Sequence, residues 1–183
     1  MKKIVVIMAC LSCLGLGAVS RSIPVRAEVI DKIVAILGDE VILLSEVLEY
    51  AEKPVVQVVA AIGNSGDIEQ TTLRYMIERQ LLAQEIQYLA FPRGKEVVRS
   101  LALQYIVNTY HQQDIQAFEK NVRAYGVTEA ELEQELDVYM KGIDYIRRKY
   151  RFSEDVENPQ RVLKLFQAWL EELRNQTDIV ILL

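Results

Sequence analysis

The chain carries strong strand signals only at its two ends, and this limits what it can fold into. Near the start runs Val-Ile-Asp-Lys-Ile-Val-Ala-Ile-Leu-Gly-Asp-Glu-Val-Ile-Leu-Leu-Ser-Glu-Val, from Val29 to Val47. Ile33–Leu37 and Val41–Leu44 are two short apolar runs rich in β-branched residues, with Gly38-Asp39-Glu40 between them. Glycine supplies the positive φ that a tight hairpin needs. A continuous apolar run is also compatible with buried helix, but the central Gly-Asp and the Ile/Val bias favour strands. At the far end, Thr177 to Leu183 reads as another strand. A lone hairpin is marginal in water, and an unpaired apolar strand invites aggregation. Pairing the last strand with the first hairpin, through Ile33–Leu37 or Val41–Leu44 against Ile179–Leu182, satisfies both. The expected fold class is therefore mainly α with a small β-sheet, the two ends joined in one clasp.

Everything between reads as helix. Ser45 is placed to cap a first helix, with Glu46 in its opening turn. Pro54 should kink or restart that helix, and Gly63-Asn64-Ser65-Gly66 should end it. Asp67 is the expected cap of a second helix reaching about Ala90, its apolar residues recurring at three and four. Phe91-Pro92-Arg93-Gly94 breaks the chain. A third stretch runs from Lys95 to about Tyr125, with a candidate break at His111-Gln112-Gln113, and Gly126 stops it. Thr128-Glu129-Ala130-Glu131 is a capping box. The helix behind it ends in the basic cluster Arg147-Arg148-Lys149-Arg151, which suits a negative helix terminus. Ser153 to Pro159 reads as a polar linker, and Arg161 to Arg174 as a last amphipathic helix.

The first residues do not belong to this pattern. Met1-Lys2-Lys3 is a basic head, Ile4–Val19 is apolar and uncharged, and Val25-Arg26-Ala27 offers small residues at −3 and −1. These are the parts of a secretory signal over residues 1–27, cut after Ala27, with a cut after Ser20 as the alternative. The apolar run is too short and too soon followed by Arg21 for a membrane span. Cys10 and Cys13 would leave with the signal, so the 156 residues that follow Ala27 in the 183-residue chain must be stable through packing alone. Lys2, Lys3, Arg21 and Arg26 would leave too, taking 21 basic residues to 17 against 26 acidic ones. That balance of −9 argues against nucleic acid or an anionic membrane as the main partner.

Motif chemistry is sparse. No serine sits in Gly-x-Ser-x-Gly, no phosphate-binding glycine loop is present, and one histidine, His111, is too few for a His/Cys metal centre. No Asp-x-Asp-x-Asp-Gly calcium loop occurs either. A triad through His111 would have to assemble in space; in its polar His-Gln-Gln-Asp setting, a solvated or helix-capping role is the simpler reading. The alternating acids Glu129, Glu131, Glu133, Glu135 and Asp137 are expected on a solvated helix face. Nine tyrosines remain, and tyrosine offers apolar area plus a hydroxyl at low entropic cost. Tyr105 and Tyr139 fall on apolar stripes and read as core. Tyr75, Tyr110 and Tyr145 fall off them and, with the deformable Met76 and Met140, are candidates to line a peptide-binding cleft. Isolated exposed tyrosines need no explanation, so the bland alternative stands beside this one.

Ile30 to Val47, Leu73 to Glu85, Phe118 to Phe152 and Phe166 to Leu183 together resemble the SurA-type periplasmic chaperones, in their N-terminal, trigger-factor-like peptide-binding module. The opening Ile-Asp-Lys, hairpin, then Ser-acid start of a helix is the most specific part. The resemblance implies a helical chaperone module over residues 28–152, completed by the helix and strand of residues 160–183. It implies an exported, periplasmic, ATP-independent chaperone without cofactors, binding unfolded or aromatic-rich segments of secreted or outer-membrane proteins. Members usually insert one or two parvulin isomerase domains before the closing helix. Here residues 153–159 hold that place, and such a domain needs roughly a hundred residues and paired histidines. The expectation is thus a non-enzymatic chaperone, or else an adaptor or complex subunit that uses the same cradle for one dedicated partner. A homo-oligomer by strand exchange at the clasp is a further expectation.

Overall fold

The computed structural model describes residues 31–64, 66–89 and 94–183. The expected signal at 1–27 and the break at Phe91–Arg93 lie outside the described residues.

The clasp forms. Strand β1 (Ile33–Leu37) pairs antiparallel with β2 (Glu40–Leu43), with Leu37 opposite Glu40, so Gly38 and Asp39 make a two-residue loop. Gly38 has φ 58° while Asp39 stays at negative φ, which is the arrangement of a type II′ hairpin turn. Strand β3 (Ile179–Ile181) lies on the other side of β1, antiparallel, with Ala35 opposite Ile181 and Leu37 opposite Ile179. Two backbone bonds close its ends: Gly38 N–H donates to the Asp178 carbonyl at 3.0 Å, and Leu182 N–H to that of Val34 at 2.9 Å. The chain is α+β as expected, with the sheet order β2–β1–β3.

A register shift between Ile33 and Ala35 puts both Val34 and Ala35 inside. They join Leu37, Ile42 and Val47 against Leu73, Ile77 and Leu81, forming a small core under the sheet. On the outer face Ile36, Val41 and Val180 stand opposite one another in a row, and the last two are exposed.

The helices carry the larger core. Helix α1 (Leu44–Ala51) starts one residue before Ser45, so Ser45 does not cap it. The Glu46 carboxylate accepts from the Leu43 N–H at 2.8 Å instead, and the Ser45 hydroxyl donates to Asp31. Pro54 opens a separate helix α2 (Pro54–Val59), where its missing N–H costs nothing. Asp67 caps α3 (Ile68–Ile86), accepting from the Gln70 N–H at 2.9 Å.

The expected third stretch divides into α4 (Lys95–Tyr110) and α5 (Ile115–Ala124) at the anticipated place. Gln112 and Gln113 both take left-handed φ, and the Gln113 N–H donates to the Val107 carbonyl at 3.1 Å. The capping box opens α6 (Glu129–Tyr150): Thr128 Oγ1 takes the Glu131 N–H while Glu131 takes the Thr128 N–H. After the turn 151–158, α7 (Pro159–Gln176) leads directly into β3.

Helix α3 is the axis of the molecule. Leu73, Ile77 and Leu81 face the sheet, while Tyr75, Leu82 and Ile86 face the helical core with α4, α6 and α7. A helix buried on two sides has no single apolar stripe.

Candidate functional site: a tyrosine–carboxylate network under an α3 trough

Two acidic residues sit inside the helical core, each held by tyrosines and one arginine. Glu78 on α3 is 2 % exposed. Its Oε1 accepts from the Tyr105 hydroxyl at 3.0 Å and the Tyr110 hydroxyl at 3.1 Å, and its Oε2 accepts from Arg174 Nη2 at 2.8 Å. Glu135 on α6 is 8 % exposed. Its Oε1 accepts from the Tyr50 hydroxyl at 2.7 Å and the Tyr75 hydroxyl at 2.8 Å, and lies 3.1 Å from Arg79 Nη1. The same guanidinium donates to the Glu135 backbone carbonyl. Burying a carboxylate is costly unless it is paired and bonded, and both are.

The rings that carry these hydroxyls touch. Tyr75 stacks on Tyr50 at 6.2 Å and on Tyr139 at 6.4 Å, and meets Tyr110 edge-on at 5.5 Å. Tyr139 continues to Tyr105 at 5.5 Å. Five tyrosines therefore join the two carboxylates through one aromatic cluster. Burial pushes the Glu78 carboxyl above its ordinary range, against the pull of Arg174 and the hydroxyl donors. Burial first, and the Glu78 carboxylate second, push Tyr105 and Tyr110 far up, so they act as donors throughout the physiological range. The Tyr139 hydroxyl is buried and makes no well-formed hydrogen bond among the described residues, but it lies close enough to Glu78 to help lower that carboxyl's pKa, behind Tyr105 and Tyr110.

The Glu78 half of this network floors a groove of about 600 Å³ between α3, α4 and α7. Thr71, Arg74, Lys164 and Glu171 form its walls. Arg74 and Arg174 also line a smaller hollow of about 310 Å³ against Leu73, Ile77, Ile179 and Ile181. At the opposite end, Thr71, Thr109 and Tyr110 are shared with a hollow of about 580 Å³ that reaches His111. The three make one trough along the exposed ridge of α3. No group of three or more metal-ligating side chains occurs among the described residues.

Of the five residues expected to line a cleft, Tyr110 lines this trough. Tyr75 and Met140 do not: they are 0 % and 1 % exposed, in the main core. Tyr75 lies off one stripe of α3 but on its second buried face, and Met140, beside Tyr139 on α6, belongs to the same helical core. Met76 packs half-buried against the core under the sheet, and Tyr145 leans on Trp169 at 5.1 Å. The five are thus not gathered in one tyrosine–methionine cradle, although Tyr75 and Tyr110 do touch. Tyr105 and Tyr139 are core, as expected.

His111 takes the helix-capping role and not the solvated one: it is the C-cap of α4, its backbone N–H donating to the Val107 carbonyl at 3.1 Å. It is 6 % exposed at the end of α4; its Nε2 donates to the Val58 carbonyl at 2.8 Å, and its ring meets Phe118 edge-on at 5.1 Å. Burial holds its pKa below the usual imidazole value. With Nε2 committed to a carbonyl, no serine hydroxyl is engaged by that nitrogen, and Ser45 and Ser153 bond to Asp31 and the Tyr150 carbonyl.

The expected solvated acidic face is interrupted by Glu135. Steps of two advance about 200° around a helix, so one of five alternating acids turns inward. Glu135 lies three after Leu132 and four before Tyr139, in register with the apolar stripe. Glu78 likewise lies three after Tyr75 and four before Leu82. A charged residue in the register of a buried stripe is the signal that could have found both.

Comparison of the chain with protein-family models, curated proteins and solved structures finds no match.

Proposed function

We propose that this chain is an exported, ATP-independent holding chaperone that binds unfolded segments of secreted or outer-membrane proteins and has no isomerase activity. The observation that carries the reading is the trough along α3, which places the partly exposed Tyr110, Ile179 and Ile181 beside the exposed cations Arg74 and Lys164. Such a lining offers an extended polypeptide both apolar area and polar anchors, the usual mixture at a peptide site. The hairpin-and-last-strand clasp agrees with the resemblance to the SurA-type module, and the turn 151–158 is far shorter than the roughly hundred residues of an inserted isomerase domain. The signal-like leader supports a periplasmic location. Affinity is expected to be weak, since ordering a flexible client costs free energy.

A second reading, an adaptor or complex subunit with one dedicated partner, is favoured by the trough's polarity. Thr71, Thr109, Lys164 and Gln167 line it alongside the tyrosines, and no methionine does. The test is aggregation of several unrelated denatured outer-membrane proteins with and without the chain. Suppression across all of them is expected. Protection of none, with one native protein co-purifying in fixed ratio, would overturn the chaperone reading in favour of the adaptor.

A further inference from the structure

Strand β3 ends the sheet, and its outer edge is bare among the described residues. In an antiparallel pair the backbone groups of alternate residues point to the partner and away from it. Leu182 donates to Val34 and Asp178 accepts from Gly38, so the groups of even-numbered residues face β1. The N–H and C=O groups of Ile179 and Ile181 therefore face outward, with no partner. Ile181 is 60 % exposed. Natural sheets protect such edges with charge, proline or a covering element; Ile179-Val180-Ile181 does none of this.

The flank of this edge is shaped. The hollow of about 310 Å³ is lined by α3, α7 and β3, and by no residue of β1 or β2, so it opens beneath the outer side of β3. Leu73, Ile77, Ile179 and Ile181 make it apolar, and Arg74 and Arg174 make it cationic. Arg174 is occupied by Glu78 and Glu171. Arg74 is exposed, and its side chain forms no ion pair or hydrogen bond among the described residues. An unpaired guanidinium beside an apolar hollow, on a chain with an acidic excess, is complementary to a carboxylate.

We propose that β3 is a docking strand that captures an extended client segment by antiparallel or parallel strand addition. This rests on the peptide-binding reading above and gives it a mode and a sequence preference. The captured segment exchanges backbone hydrogen bonds with Ile179 and Ile181. On its inward face one apolar side chain enters the hollow, and an Asp or Glu two residues away meets Arg74. Side chains two apart share a face of a strand, which makes apolar-x-acidic the recognised pattern. A second copy of this chain fits less well. Pairing β3 with β3 about a two-fold axis brings the Arg74 of both copies towards one seam, where like charges repel.

The probe is a fluorescein-labelled heptapeptide of alternating Thr and Val with Glu in place of the last Val, followed by anisotropy, with a Lys-for-Glu twin. Ile181→Pro removes an outward N–H that the β1 ladder does not use, so it should leave the sheet folded; Ile181→Val is its control. The Glu peptide should bind about fivefold tighter than the Lys peptide at low salt, the difference shrinking as salt rises. Arg74→Glu should reverse the order, and Ile181→Pro should weaken both peptides at least about tenfold. N-methylation of the peptide's ladder amides should do the same against the unaltered protein, which covers the case of a misfolded variant. Equal binding by Ile181→Pro and by the N-methylated peptide would overturn the proposal. So would indifference to Arg74→Glu, or a dimer in sedimentation that Ile181→Pro dissociates. Aggregation assays separate this from the broader reading. Suppression that survives Ile181→Pro undiminished rejects the docking strand and keeps the chaperone. Peptide binding without suppression keeps the docking strand and rejects the chaperone.

Discussion

Arg174 on α7 donates to Glu78 on α3 at 2.8 Å, with side-chain exposures of 32 % and 3 %. The two residues come from distant parts of the chain, so this pair ties the helix that leads into β3 to the central helix. Arg174→Ala leaves the carboxylate with only its two tyrosine donors. Removing one member of a buried pair typically costs 3–5 kcal/mol; with a third of the arginine in water, a loss of about 2 kcal/mol is expected. Urea unfolding of Arg174→Ala, Glu78→Gln and the double variant measures it. The double variant should recover part of the single loss, because no buried charge is then stranded. Additive losses would show that the pair is not coupled.

The tyrosines of the cluster should differ sharply when their hydroxyls are removed. Tyr105→Phe takes a donor from a buried carboxylate and should cost about 1–2 kcal/mol. Tyr139→Phe removes a buried hydroxyl that makes no well-formed hydrogen bond among the described residues and ranks behind Tyr105 and Tyr110 in its pull on Glu78, so its loss should be clearly smaller than that of Tyr105→Phe. Both rings keep their packing, so the comparison isolates the hydroxyl. Thermal melts of the two variants decide it; a large loss in Tyr139→Phe would mean its hydroxyl is engaged.

The elements were legible in the sequence wherever local chemistry dictates structure. Asp67 and the Thr128–Glu131 box start their helices, Gly38 turns the hairpin, and the bare strand at 179–181 pointed to its partner because neither end is stable alone. Ser45 misled because the Glu46 carboxylate, one residue on, satisfies the helix start. The candidate site was much less legible. Tyr75 falls off one apolar stripe of α3, but α3 is buried between the sheet and the helices and carries a second; Met140, a candidate for its deformability alone, is on α6 and fills the helical core. The register of Glu78 and Glu135 marks them as inward-facing, but it does not name Tyr105, Tyr110, Tyr50 and Arg174, which other helices supply. Those partners are set by tertiary packing, which no single-helix pattern carries.

Gly142 lies mid-helix in α6, where alanine is ordinarily favoured by about 1 kcal/mol. Here a Cβ would meet Phe166 Cε2 at 2.8 Å and Trp169 Cζ3 at 3.1 Å. The glycine lets α7 approach α6 closely, and both rings belong to the core. Gly142→Ala should therefore destabilise by about 1–2 kcal/mol despite its helix propensity, since overpacking typically costs 1–3. Trp169 is the only tryptophan, so its fluorescence reports the same displacement directly. A stabilised variant with unchanged emission would contradict the packing.

His111 is the only histidine, which makes its titration separable from all others. Burial holds its folded pKa below 6.5, opposed by the Val58 and Val59 carbonyls and by Asp114. Below pH 6.5 the unfolded chain binds a proton that the folded imidazole refuses. Its contribution is thus complete above pH 6.5 and is lost as pH falls towards and through the folded pKa. Glu78 works the other way: its folded pKa is raised above 4.5, so its contribution is complete below pH 4.5 and is lost as pH rises through the folded value. Between pH 7.5 and 5 the two slopes oppose each other. His111→Gln removes the first, so relative to the unaltered protein its melting temperature at pH 5 should rise compared with that at pH 7.5. The imidazole Cε1 proton, followed by NMR through the same range, should titrate below 6.5 in the folded state. A midpoint at or above 6.5 would mean that the ring is solvated rather than held against Val58 and Phe118.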